Sequence, residues 1–217
     1  MAVALLFVVA ACGSSSTDGR RASPVTSAGA PTGTAAPPAP GRVVGPGELR
    51  TFAVPRGSRP HDVAPAGDGS VWYTAQGSGR LGLLDPATGR VDEVELGRGS
   101  APHGVIVGPD GAPWVTDGGL NAVIRVDPAT REVRRFAMPA GTPDVNLNTA
   151  VFERDGRLWF TGQAGYYGRV DPGSGRVEVF PAPGGRGPYG ITVTPSGTVW
   201  YASLAGSHVA RVDTATG

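Results

Sequence analysis

Four tryptophans stand at positions 72, 114, 159 and 200, separated by 42, 45 and 41 residues. Three residues before each comes a glycine (Gly69, Gly111, Gly156 and Gly197), itself preceded by Asp68, Asp110, Asp155 or Ser196. Downstream, Asp85-Pro86, Asp127-Pro128, Asp171-Pro172 and Asp213-Thr214 form a second register with the same period. Two registers repeating together every ~42 residues describe one supersecondary unit copied along the chain, as in propellers and solenoids.

The second copy shows what the unit contains. Gly104-Val105-Ile106-Val107 reads as a short apolar strand, a, and Asp110-Gly111 as a tight hairpin turn supplying positive φ. Trp114-Val115-Thr116 is strand b, followed by a polar loop with Gly118, Gly119 and Asn121. Val123-Ile124-Arg125-Val126 is strand c, and Asp127-Pro128 opens a turn in which Pro pre-sets φ. Glu132 to Phe136 alternates as a more exposed strand d. Such a meander cannot bury both faces alone, but radial stacking covers them and leaves only short edges. The expected fold is therefore all-β: a β-propeller of four-stranded antiparallel blades, with four repeats present. The 35 glycines and 21 prolines fit many short strands joined by turns. Leu49 to Val54 resembles a strand d, which would complete copy four and close a four-bladed ring. The alternative, favoured because Gly217 falls within a turn motif, is a portion of a seven-bladed propeller.

The ends of the chain differ in character. The apolar run Ala2 to Ala11 is too short to span a bilayer as a helix, and suits the apolar core of a secretory signal. Val9-Ala10-Ala11-Cys12 followed by Gly13 resembles a bacterial lipobox, which makes Cys12 the expected lipidation site, although no basic residue precedes the apolar run. Residues 1–12 are thus expected to be a lipoprotein signal, 13–46 a Ser/Pro/Ala/Gly tether too poor in large apolar residues to fold, and 47–217 the propeller. The expected location is extracytoplasmic, with the lipid as the sole membrane contact. A formal charge of +1, without a basic cluster, argues against nucleic-acid binding. A complete propeller would be monomeric.

Pro102-His103-Gly104-Val105, Asp110-Gly111, Trp114-Val115-Thr116-Asp117, Asn121 and Arg125-Val126 together resemble the streptogramin B lyase (virginiamycin B lyase) family. Trp72-Tyr73-Thr74, Trp159-Phe160-Thr161 and Trp200-Tyr201-Ala202 echo it in the other copies. The resemblance covers about residues 49 to 217. It implies a seven-bladed, magnesium-dependent propeller that linearises a cyclic depsipeptide by elimination across its ester, using a His base and an acidic partner. The family's blades commonly read Trp-Phe-Thr-Glu, whereas this chain has Ala75, Asp117, Gly162 and Ser203 at the acidic position. The resemblance also places the family's reacting residues in its last blades.

Topology places a site without the family. In a meander blade the d-to-a and b-to-c connections emerge on one face, and strand a lines the channel. Eleven residues before each Trp stand His61, His103, Asn148 and Tyr189, all capable of hydrogen bonding and all expected at that rim. The ends of strand b bring Gln76, Asp117, Gln163 and Ser203 to the same face. Convergent loops of this kind form a concave mouth for a small-molecule or peptide ligand. His103 and Asp117, 14 residues apart in one blade, are the expected catalytic pair, with the imidazole as base and the carboxylate orienting it. His61, Asn148, Tyr189, Gln76 and Gln163 are the expected ligand-binding set. A Pro-His at a strand start is equally compatible with a water-satisfied residue in a repeated turn. Asp62 and Asp144 are expected to cap loops. Paired-Cys zinc spacing, phosphate-cradling loops and nucleophile elbows are absent from the sequence. A lactonase-like cation site would need more carboxylate or Asn ligands than Asn148 and Asp117. Two classes remain: a surface-tethered carbon–oxygen lyase, and a non-catalytic propeller that binds its ligand at the mouth.

Overall fold

The computed structural model describes residue 47 and residues 49–217. The signal segment with Cys12 and the tether of residues 13–46 lie outside the described residues. Within these, all regular structure is β. Blade one contains β1 (Pro60–Pro65), β2 (Val71–Ala75), β3 (Arg80–Leu84) and β4 (Val91–Glu95). Blade two contains β5 (Pro102–Val107), β6 (Pro113–Asp117), β7 (Ala122–Val126) and β8 (Val133–Ala137). Blade three contains β9 (Leu147–Phe152), β10 (Leu158–Gly162), β11 (Tyr166–Val170) and β12 (Val177–Pro181). Blade four contains β13 (Pro188–Val193), β14 (Val199–Ser203) and β15 (His208–Val212). Strand order follows chain order in every sheet, and consecutive strands pair antiparallel. The inner strands β1, β5, β9 and β13 contact one another in succession, as propeller blades require.

The a-to-b turns are tight hairpins as expected, but Asp110 does not share the positive φ expected of the Asp110-Gly111 pair. Only the glycine has positive φ, 72° at Gly111. Its N–H donates to the Gly108 carbonyl at 2.9 Å, while the Gly108 N–H donates to the Ala112 carbonyl at 2.9 Å. This is a type I turn followed by a left-handed residue, the three-residue hairpin loop in which the last position needs glycine. The other blades repeat it at Gly69, Gly156 and Gly197. In the c-to-d turns the repeated aspartate also acts through its side chain. Asp127 Oδ1 accepts the N–H groups of Ala129 (3.0 Å) and Thr130 (2.9 Å), and Asp85, Asp171 and Asp213 do likewise.

The first three tryptophans each face the following blade. Trp72 shares an apolar cluster with Val105, Val115 and Ile124 of blade two. Trp114 clusters with Leu147, Leu158 and Phe160 of blade three, and Trp159 with Val199, Tyr201 and Val212 of blade four. The first three tryptophans are buried, whereas Trp200 is half-buried, and Val209 on the neighbouring β15 is 67% exposed.

Leu49 to Val54 does not form the expected outer strand. No strand is assigned there, Leu49 is 86% exposed, and blade four has three strands. The segment is tied to blade one instead. It ends in a turn where the Ser58 N–H donates to the Pro55 carbonyl (3.1 Å), the Ser58 carbonyl accepts the Gly77 N–H (2.8 Å), and the buried Ser58 hydroxyl donates to Glu93 (3.2 Å). Alternating side chains alone make no strand without an edge to pair with, so closure by this segment is not observed.

Candidate functional site

The mouth is built on a register shift repeated in every blade. Pro102 pairs with Asp117 and Gly104 with Thr116, so His103 is one residue extra in β5. The same shift falls between Pro60 and Val63, Leu147 and Ala150, and Pro188 and Ile191. A bulge of this kind bends the strand and re-aims the extra side chain. It also removes a ladder bond and leaves a backbone N–H to be satisfied. The threonine opposite does this: Thr116 Oγ1 accepts the Gly104 N–H at 3.0 Å and donates to the Asn148 carbonyl of the next blade. Thr74 accepts the Asp62 N–H (2.9 Å) and donates to the His103 carbonyl (2.8 Å). Thr161 accepts the Thr149 N–H (3.4 Å) and donates to the Tyr189 carbonyl. Blade four carries Ala202 at this position. The approach is close enough to require glycine at 104, where a Cβ would lie 2.7 Å from the Asn148 carbonyl oxygen.

Four of the expected rim residues are brought together. The His61 and His103 rings lie 3.8 Å apart between centroids, tilted by 45°, and Tyr189 stands edge-on to His103 at 6.4 Å. His103 Nδ1 is 3.1 Å from the Asn148 carbonyl oxygen. A carbonyl only accepts, so Nδ1 carries the proton and Nε2 the lone pair. The Asn148 side-chain amide nitrogen donates to that Nε2 at 3.3 Å. Burial first, and then the neighbouring His61, hold the His103 pKa below the ordinary imidazole value, against the opposing effects of the Asn148 carbonyl and Asp62. At neutral pH the imidazole is thus a neutral base with a defined basic nitrogen. His61 is exposed, and Asn148 is fully buried with Oδ1 unpartnered.

Asp117 does not join them. Its side chain is fully buried, with Oδ1 accepting the N–H groups of Ala101 (2.9 Å) and Leu120 (2.9 Å) and Oδ2 accepting the Ser100 hydroxyl (2.5 Å). It fastens the d-to-a and b-to-c loops to each other and makes no hydrogen bond to His103 among the described residues. Gln76 and Gln163 are half-buried at the ends of β2 and β10; the Gln163 backbone links Asn146 and Gly187, each at 3.0 Å. Ser203 Oγ accepts the Gly206 N–H at 3.1 Å. Asp144 caps its loop through the Asn146 N–H (2.9 Å). Asp62 reaches further than a loop cap, accepting the Val63 N–H (2.9 Å) and, from blade two, the Val105 N–H (3.0 Å). The stapling threonines were visible as the third letter of the repeated Trp-Tyr-Thr, Trp-Val-Thr and Trp-Phe-Thr triplets, but their role depends on the bulge.

Magnesium wants a near-octahedral shell of oxygens. At the mouth both Asp117 oxygens and both Asp62 oxygens already accept hydrogen bonds, which leaves only uncharged amide and hydroxyl oxygens, Asn148 Oδ1 among them. No group of three or more His, Cys, Asp or Glu able to hold a metal occurs among the described residues. The described residues therefore do not fit a magnesium site.

The comparisons agree with this architecture. No curated protein matches the chain. A catalytically inactive variant of virginiamycin B lyase from Staphylococcus aureus, solved with quinupristin, superposes with a TM-score of 0.72 at 25% identity, covering 80% of this chain and 59% of that one. A streptogramin B lyase structure gives a TM-score of 0.69 at 22% identity, covering 78% and 57%. The chain thus spans a little under three fifths of the length of these relatives. The virginiamycin B lyase family matches residues 91–217, more than half of the sequence. On that match, and on four sheets stacked as blades around a rim of His, Asn and Tyr, the chain belongs to the virginiamycin B lyase family.

Proposed function

We propose that the chain is a streptogramin-lyase-like propeller that opens an ester of a cyclic depsipeptide at its mouth by elimination. The supporting observation is His103: neutral, half-buried, with Nδ1 tied to a backbone carbonyl and Nε2 facing the rim amide. In this reading the bound ester displaces the Asn148 amide from Nε2, whose freed lone pair takes the proton from the carbon next to the one bearing the ester oxygen. The electrons form the carbon–carbon double bond, the carbon–oxygen bond breaks, and the ester leaves as a carboxylate. His61 and Tyr189 hold the peptide at the rim, the fully buried Asn148 orients His103, and the buried Asp117 positions the loops rather than the base. General-base assistance contributes roughly a hundred- to ten-thousand-fold in rate. A second reading, a propeller that binds such a peptide without turnover, is favoured by the engagement of Asp117, which leaves His103 without a carboxylate partner. The test follows ring opening of a cyclic depsipeptide by mass spectrometry with the full chain and with His103→Ala, with and without magnesium. Loss of turnover in the variant supports the lyase reading. Binding by both proteins without turnover supports the second.

Tethering belongs to the same proposal. Lipidation at Cys12 would hold the propeller at the outer face of a bacterial cell membrane. Mass spectrometry of the membrane fraction should find a diacylglycerol-modified Cys12 as the first residue. A soluble protein with a free Cys12 thiol would refute it.

A further inference from the structure

Asn148 poses a question the elimination chemistry leaves unanswered. Its side chain is fully buried, yet Oδ1 has no hydrogen-bond partner, and buried acceptors are almost always satisfied by protein, water or a bound ion. Its amide orientation rests on one long bond, Nδ2 to His103 Nε2 at 3.3 Å. A half-turn of the carboxamide would forfeit only that bond and place Oδ1 beside Nε2.

The second donor is already oriented. The His103 Nδ1–H points at the Asn148 backbone carbonyl at 3.1 Å, the outer-shell arrangement that fixes ring orientation and raises the basicity of metal-bound imidazoles. The third lies next to it: the His61 ring is 3.8 Å from that of His103, is exposed, and makes no hydrogen bond among the described residues that rotation would break. From this juxtaposition we infer that His61, His103 Nε2 and Asn148 Oδ1 form a site for a borderline first-row divalent ion, with cobalt, nickel, copper and zinc as the chemical class. Two imidazole nitrogens and one amide oxygen suit these ions, whereas magnesium selects oxygens and keeps its water. Remaining positions stay with solvent.

The site has a regulatory consequence. An ion on Nε2 occupies the lone pair that proton abstraction requires, so it competes with the proposed reaction. The inference stands on geometry and does not rest on turnover.

The experiment titrates the full chain with cobalt, read by its visible absorption, and with copper, read by nitrogen hyperfine splitting in electron paramagnetic resonance. Three histidines occur in the sequence, so His208→Ala is the remaining imidazole control. The expected result is one ion per chain bound through two imidazole nitrogens. Apparent affinity should fall about tenfold or more in His61→Ala and in His103→Ala, fall less in Asn148→Ala, and stay unchanged in His208→Ala. Magnesium at equal concentration should not displace the ion. Single-nitrogen binding, or affinity that survives both His61→Ala and His103→Ala, would overturn the site. Because His61 is exposed, that variant tests the site without disturbing the blade. A chain that binds cobalt this way but opens no depsipeptide keeps this inference and removes the lyase reading.

Discussion

Thr116→Val isolates the bond that joins blade two to blade three. Valine keeps the β-branched shape, so no cavity is created and the strand conformation is retained. What disappears is a hydroxyl, 1% exposed, that accepts the Gly104 N–H and donates to the Asn148 carbonyl. The carbonyl keeps its bond from His103 Nδ1 and loses little. The Gly104 N–H is left in a buried bulge with no acceptor, and such a stranded donor costs about 1–3 kcal/mol. For a domain of this size each kcal/mol lowers the melting temperature by roughly 2–4 °C, which gives a fall of roughly 2–12 °C. Differential scanning calorimetry of wild type and variant measures it. Thr192→Val, at an exposed position on β13, serves as the control and should leave the transition within about 0.5 kcal/mol of wild type. Equal shifts in the two variants would refute the argument that the hydroxyl satisfies the bulge.

Trp114→Ala is expected to lower stability by about 3–5 kcal/mol, as for other buried aromatics, and Trp200→Ala by clearly less, because it is only half-buried among the described residues; urea denaturation compares them. The turn aspartates have pKa values below the ordinary carboxylate value, Asp127 and Asp213 chiefly through backbone N–H groups and Asp85 and Asp171 chiefly through Thr88 and Ser174. A depressed folded value means that the associated stability is complete above the unfolded value of about 3.9 and is lost as pH falls through the lower folded values. The urea midpoint should therefore drop below about pH 4, and less steeply in Asp127→Asn. For His103 the lowered pKa places the acid limb of any turnover below the ordinary imidazole value of about 6.5. His61→Ala should move that limb upward by removing a neighbouring charge, and a pH–rate profile or an imidazole NMR titration reads the change.

What the sequence disclosed follows from what repeats along it. Trp, Asp-Gly and Asp-Pro recur at fixed spacing, so the four repeats, their strand order and the rim positions 61, 103, 148 and 189 could be read by counting. The His103–Asp117 pairing failed for a reason counting cannot reach. The 14-residue interval does span one hairpin, and Pro102 does pair with Asp117. The carboxylate direction is set by the loop through Ser100 and Ala101, whose donors compete for it and win. The bulges were hidden because they are mismatches between two strands, not features of either. Leu49 to Val54 had the alternation of a strand, but pairing depends on which edge is near, and Ser58 anchors that segment to blade one.

The threonine staples grip the mouth residues by their backbone alone: the acceptors are the carbonyls of His103, Asn148 and Tyr189. Scaffold and recognition therefore draw on different atoms of the same residues. The side chains at 103 and 189, which are only half-buried, can be exchanged while the joint between blades stays intact. A library varied at these two and at the exposed position 61 would sample new ligand preferences on a constant frame, since the substitutions alter what the rim presents and leave untouched the bonds that hold the rim in place.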